Sequence, residues 1–163
     1  MEQDLLFMRQ ALELAKEASD AGEVPVGCVI VRNGEVVGRG RNRREEGKNA
    51  LAHAEVEAIN DACRNLGGWR LWDCTLYVTL EPCPMCAGAI VNARIPRVVF
   101  GASDKKCGAC GSVCDLFSMN FNHKPTVETG ILEEECAAEL TKFFQNLRLE
   151  LQDRPKWKPR NTR

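Results

Sequence analysis

Cys83 and Cys86 stand three apart in Pro82-Cys83-Pro84-Met85-Cys86, a spacing that brings two sulfurs to one side of a helix's first turn. Pro84 suits that turn, where its missing N–H has no intrahelical partner to lose. The positive end of a helix dipole lowers the pKa of a thiol placed there, and thiolate is the form that binds zinc. Two sulfurs make half of a tetrahedral site. The chain has two histidines, His53 and His123, and no histidine pair at zinc-finger spacing. One nitrogen from His53 gives three protein ligands, which leaves an open position as in a catalytic zinc; a closed four-ligand site would be structural. Water in the open position has its pKa brought down to about 7 and supplies a hydroxide nucleophile.

His53-Ala54-Glu55 adds a carboxylate two residues beyond the histidine. Alone, the histidine reads as structural and the glutamate as a first-turn residue complementing the helix dipole. Next to the cysteine pair, Glu55 reads as an unligated general acid and base. Residues two apart do not face each other within a helix, so His53 is expected at the very start of its helix, with both side chains reaching one metal from there. H-x-E followed by P-C-x-x-C is the signature of the zinc deaminases that act on nucleobases.

Elements must carry these residues to one place. Leu5, Met8, Leu12 and Ala15 recur at helical spacing and predict an amphipathic helix that stops near Asp20-Ala21-Gly22. Residues 26–31 form an almost continuous apolar run, followed by Asn33-Gly34 and then Val36-Val37; this is a hairpin whose first strand is buried on both faces. Residues 39–49 are polar and read as a loop. Val56, Ile59 and Cys63 mark a second helix, closed by Gly67-Gly68. Residues 75–80 alternate as a third strand, residues 84–92 read as a buried helix, and residues 97–101 hold a fourth strand. Strand, helix, strand in that order is a βαβ crossover with parallel neighbours. A fifth strand falls near Val127, and Leu132, Cys136, Leu140, Phe143, Leu147 and Leu151 give a long final helix. The fold class is α/β, with one mixed central sheet between helices. Residues 1–153 read as a single domain, and residues 154–163 as a basic, frayed tail.

Bulk properties narrow the setting. The 163 residues carry 22 Lys and Arg against 23 Asp and Glu, a formal net charge of -1; such a total is silent on nucleic acid, so any contact must come from local clusters. Arg39, Arg41, Arg43, Arg44 and Lys48 form one such cluster, Lys105 and Lys106 another, and Lys156, Trp157 and Lys158 a third that could add stacking. Nine cysteines are an odd number. With no basic stretch leading into an apolar run at the N-terminus and no apolar run of transmembrane length, they predict reduced thiols in a cytoplasmic protein with no membrane partner.

Longer blocks go beyond the zinc signature. Glu23-Val24-Pro25-Val26-Gly27, Thr75-Leu76-Tyr77-Val78-Thr79-Leu80-Glu81-Pro82-Cys83, Cys86-Ala87-Gly88-Ala89, Arg97-Val98-Val99-Phe100-Gly101-Ala102 and Gly130-Ile131-Leu132 with Glu135-Cys136 make the chain resemble the bacterial tRNA-specific adenosine deaminases, over roughly residues 5–150. The resemblance implies a five-stranded sheet flanked by helices, a homodimer, a tRNA anticodon arm as partner, and conversion of adenosine to inosine at the wobble position. It implies that His53, Cys83 and Cys86 hold one catalytic zinc ion per chain and that Glu55 shuttles protons while zinc-bound hydroxide attacks C6. By the same resemblance Asn42 contacts the flipped base and Asp104 lies near the RNA backbone. On the residues alone, Asn42 reads as a turn residue and Asp104 as a loop cap.

Cys107, Cys110 and Cys114 depart from the resemblance, falling where that family has small residues. Cys107-x-x-Cys110 has the spacing of a second metal or redox pair; buried thiols in place of alanine or serine are the simpler account. His123 has no evident partner and reads as structural. Two rivals stand beside the tRNA reading. A deaminase of a free base or nucleoside, such as guanine or cytidine, would share the zinc chemistry without needing basic loops. A zinc-stabilised binding module would need a fourth protein ligand.

Overall fold

A computed structural model of the chain describes residues 1–155. In chain order the elements are α1 (Glu2–Asp20), β1 (Gly27–Arg32), β2 (Glu35–Arg41), α2 (Ala54–Leu66), β3 (Cys74–Leu80), α3 (Pro84–Ala93), β4 (Arg97–Ala102), a 3-10 turn (Leu116–Ser118), β5 (Thr126–Thr129) and α4 (Glu133–Gln152). The strands form one sheet in the order β2-β1-β3-β4-β5. β1 runs antiparallel to both its neighbours, while β3, β4 and β5 are parallel. This is the mixed five-stranded α/β sheet that the pattern and the resemblance predict.

Alternation along the central strands builds two cores. Cys28, Ile30, Leu76, Val78, Val98 and Phe100 face α2 and α3, where Ala54, Ala58, Ala62, Ala87 and Ile90 cover them. Val29, Val31, Tyr77 and Val99 face the other way, under Phe7, Met8, Ala11 and Ala15 of α1 and Cys136 of α4. β1 is therefore buried on both faces, which is why it reads as a continuous apolar run. Asn33 and Gly34 both have positive φ, 51° and 76°, as the two-residue hairpin turn between twisted strands demands.

Two expectations need correction. Residues 39–41 are not loop: β2 continues through Arg41, with Gly38 opposite Ile30 and Gly40 opposite Cys28. A Cβ at Gly38 or Gly40 would collide with the carbonyl oxygens of Ala58 or Ala54, so α2 lies directly on the bare backbone of β2. Glycine and arginine weaken a strand's sequence signal, and the need for them comes from a helix far along the chain. His123, in turn, does have a partner. Its Nε2 lies 2.6 Å from the Ile95 carbonyl oxygen; a carbonyl only accepts, so that nitrogen carries the proton and ties the segment before β5 to the start of β4.

The final helix forms where its periodicity places it and packs on β4, β3 and α1. Cys136 is its one buried residue, however, and Phe144, Leu149 and Leu151 are exposed. The four-residue β5 leaves little sheet for its later turns to cover. Among the described residues no helix is long and apolar enough to cross a membrane. Lys156, Trp157 and Lys158 lie outside the described residues.

Candidate active site

The site assembles where β3 ends and where α2 and α3 begin. His53 is the N-cap of α2, with extended backbone (φ -77°, ψ 153°), and Glu55 follows inside the first turn. Cys83 is the N-cap of α3, also extended, with Pro84 as the first helical residue and Cys86 two further on. The extended caps free His53 and Cys83 from the helical faces, and His53 meets two cysteines 30 and 33 residues further along the chain. His53 Nδ1 lies 3.6 Å from Cys83 Sγ and 3.5 Å from Cys86 Sγ. Together they offer one nitrogen and two sulfurs, all within 4.8 Å of one another. Among the described residues this is the group of His, Cys, Asp and Glu side chains able to hold a metal ion.

Electrostatics sort the four groups. The Cys86 thiol hydrogen-bonds to Cys83 and, with His53, holds the Cys83 thiol down at about 4, as a thiolate. Its pairing with Cys83 and its burial push Cys86 upward. The Cys83 hydrogen bond raises His53. Burial raises Glu55 to about 6, partly offset by the Cys86 thiol beside it; the residue is 4% exposed. A soft, thiolate-bearing donor set of this composition suits zinc and not a hard cation.

A cleft of about 560 Å³ opens over these groups. One side is lined by Asn42 and Arg44, the other by Ser103, Asp104, Lys105, Lys106 and Cys107, and Leu140 and Phe144 of α4 also border it. Asn42 is buried; its Oδ1 accepts the Arg44 amide at 3.2 Å. Asp104 uses its Oδ1 as a loop cap, accepting the Lys106 and Cys107 amides at 3.0 and 3.1 Å. Within the first basic cluster, Glu46 takes up Arg41 at 2.9 Å and Arg43 at 3.5 Å. Arg44 is the member of that cluster lining the cleft.

Three features were not assigned from sequence. Glu81, 3% exposed, and Glu23, 1% exposed, are buried carboxylates that accept backbone amides from the loops on either side of the cleft. Both stand in the blocks quoted above, and a carboxylate between a buried strand and Pro-Cys is the signal that singles out Glu81. Leu140 looked like a core position of an amphipathic helix, and Phe144 falls outside that helix's apolar pattern. The cysteine loop also differs from the simplest expectation: Cys110 is buried, but Cys107 and Cys114 are exposed.

Similarity to known proteins follows this geometry. The MafB19-like deaminase family matches residues 2–148. The tRNA-specific adenosine deaminase of Bacillus subtilis (strain 168) is 52% identical over 149 residues, covering 91% of this chain and 92% of that protein. A solved tRNA:A34 deaminase, which carries out A-to-I editing at the wobble position of transfer RNA, superposes with a TM-score of 0.80 at 47% identity, covering 82% of this chain and 98% of its own. A guanine deaminase from Bacillus subtilis superposes less well, with a TM-score of 0.60 at 34% identity over 94% of this chain and 96% of its own.

Proposed function

Because the chain belongs to the tRNA-specific adenosine deaminases, within the MafB19-like deaminases, we propose that it hydrolyses adenosine to inosine at the wobble position of a tRNA anticodon. The observation that carries this reading is the cleft itself. The buried carboxylate of Glu55 and two of the three donors, His53 and Cys83, line it together with Arg44, Lys105 and Lys106. A free base needs only the donor set and the carboxylate; an RNA strand also needs cations along its path. That composition favours the tRNA reading over the guanine reading to which the second solved structure points.

His53, Cys83 and Cys86 would hold a zinc ion. When bound, the ion supplies a Lewis acid that activates water toward C6 of the flipped adenine. Glu55 takes a proton from that water on a carboxylate oxygen and gives it to the ring nitrogen next to C6; a second proton passes to the departing nitrogen. The C6–O bond forms, the C6–N bond breaks, and ammonia leaves. Burial that brings Glu55 near 6 suits a group that must both accept and return a proton near neutral pH. Asn42 presents its side-chain amide to the extruded base, and Asp104 orders the loop that brings Lys105 and Lys106 to the strand. A homodimer and a cytoplasmic setting belong to the same reading; exposed Leu51, Met119 and Phe121 offer apolar surface for a second copy, and thiol ligands must stay reduced.

The test is an adenosine-containing anticodon stem-loop incubated with the protein and assayed for inosine by nucleoside mass spectrometry, with free adenosine, cytidine and guanine in parallel. Inosine in the RNA alone is the expected result. Turnover of a free base with the RNA untouched would overturn the substrate while leaving the chemistry.

A further inference from the structure

The loop of residues 104–112 closes around a single buried side chain. Glu81 Oε1 accepts the Asp104 amide at 3.1 Å and the Ser112 hydroxyl; Oε2 accepts the Cys110 amide at 3.1 Å and the Ser112 amide at 3.2 Å. Four donors thus converge on two oxygens, a set that a carboxylate accepts in full and a carboxamide cannot. Gly108 passes so close that a Cβ there would strike Oε2. The following residue, Pro82, accepts the Ala109 amide at 2.8 Å. The opposite side of the cleft repeats the device. Glu23 accepts the Glu45 amide through both oxygens, at 2.8 and 3.2 Å, and the Glu46 amide at 3.3 Å.

Glu81 borders the cleft and Glu23 does not, but the oxygens of each are taken up by a loop that lines it: Glu81 holds the segment of Lys105 and Lys106, Glu23 the segment of Arg44. We propose that Glu81 and Glu23 are positioning residues for the RNA strand, fixing the cations on the two sides of the cleft while taking no part in proton transfer. The inference rests on the tRNA reading above. Two carboxylate oxygens are required chemically. A glutamine at 81 keeps one acceptor and turns an NH2 toward the remaining donors, which leaves buried amides unpaired.

Measured as inosine formation in the stem-loop, Glu81→Gln should raise KM about tenfold or more, since hydrogen bonds to a charged acceptor are the stronger kind. With uniform binding lost, kcat at saturating RNA should stay within about twofold of wild type. Metal per chain should be unchanged. Glu23→Gln should show the same split, and the two KM effects should multiply because the loops are separate. Ser112→Ala, at an exposed position, removes one donor without leaving a buried group unpaired and should raise KM by about threefold. It decides the matter if Glu81→Gln does not fold. Unchanged KM in Ser112→Ala and Glu23→Gln would overturn the proposal, as would a fall in kcat and bound metal at constant KM, which would make Glu81 a support of Cys83. A wild-type protein that leaves RNA unedited would instead bring down the tRNA reading, and this inference with it.

Discussion

Glu55 and Glu81 are both buried carboxylates, and their surroundings give them opposite characters. Donors from the 104–112 loop surround Glu81 and keep it charged. Glu55 has been taken out of water with far less compensation, and burial lifts it toward neutrality. Under the proposed mechanism, replacing Glu55 by Gln would remove the proton carrier and leave His53, Cys83 and Cys86 intact. The expected outcome is a fall in inosine formation of at least about a hundredfold, the usual contribution of general acid–base groups, with metal content unchanged by elemental analysis. Loss of the metal would instead show Glu55 to be a ligand. That His53, Glu55, Cys83 and Cys86 come together was legible because the chemistry proposed for them follows from residue type and two short motifs. Glu23 and Glu81 were not, because what defines them is the set of backbone amides they accept from 22 to 31 residues away.

The position of α2 decides where His53 and Glu55 stand, and β2 decides the position of α2. At Gly40 a Cβ would meet the carbonyl of Ala54, in the turn that begins at the His53 cap. Gly40→Ala should therefore push the first turn of α2 away from the sheet and separate His53 from the cysteines. Overpacking of this kind costs about 1–3 kcal/mol, and metal affinity should fall with it; thermal unfolding and metal titration of the variant check both. A variant that binds metal and unfolds like wild type would show that α2 can shift freely. The Arg39-Gly40-Arg41 stretch looked like loop because no local pattern records a helix lying on top of it. α3 was legible for the opposite reason: Pro84 at its start and the small apolar residues after it carry both the cap and the burial in a few positions.

Asp4 ties the ends of the molecule together. From the first turn of α1 it accepts Arg97 of β4 at 2.8 and 2.9 Å and the Tyr77 hydroxyl of β3 at 2.7 Å, and Arg97 also reaches Glu128 of β5 at 2.8 Å. The Arg97 guanidinium holds Asp4 at about 2, against an ordinary 3.8. A depressed carboxylate stabilises the fold above its unfolded pKa and ceases to do so once protonated. This contribution is thus full above about pH 4 and lost as pH falls through about 2, and the shift corresponds to about 2 kcal/mol. Asp4→Asn should lower stability near pH 7 by that order and flatten its pH dependence between those limits in denaturant titrations; an unchanged acid limb would show that other carboxylates dominate. Chelation tests the metal on the same scale. Neither core includes His53, Cys83 or Cys86, so stripping the metal should abolish inosine formation while circular dichroism stays that of the folded protein. Unfolding on chelation would favour a structural zinc. The sequence by itself determined the α/β class, the hairpin, the crossover and the grouping of His53, Glu55, Cys83 and Cys86, because each follows from local periodicity, turn chemistry or ligand type. Only the tertiary structure decided that β2 runs on under α2, that Glu46 takes up Arg41 and Arg43 while Arg44 borders the cleft, and that two buried glutamates hold its sides, because burial and partner choice arise from segments that meet only when the chain is folded.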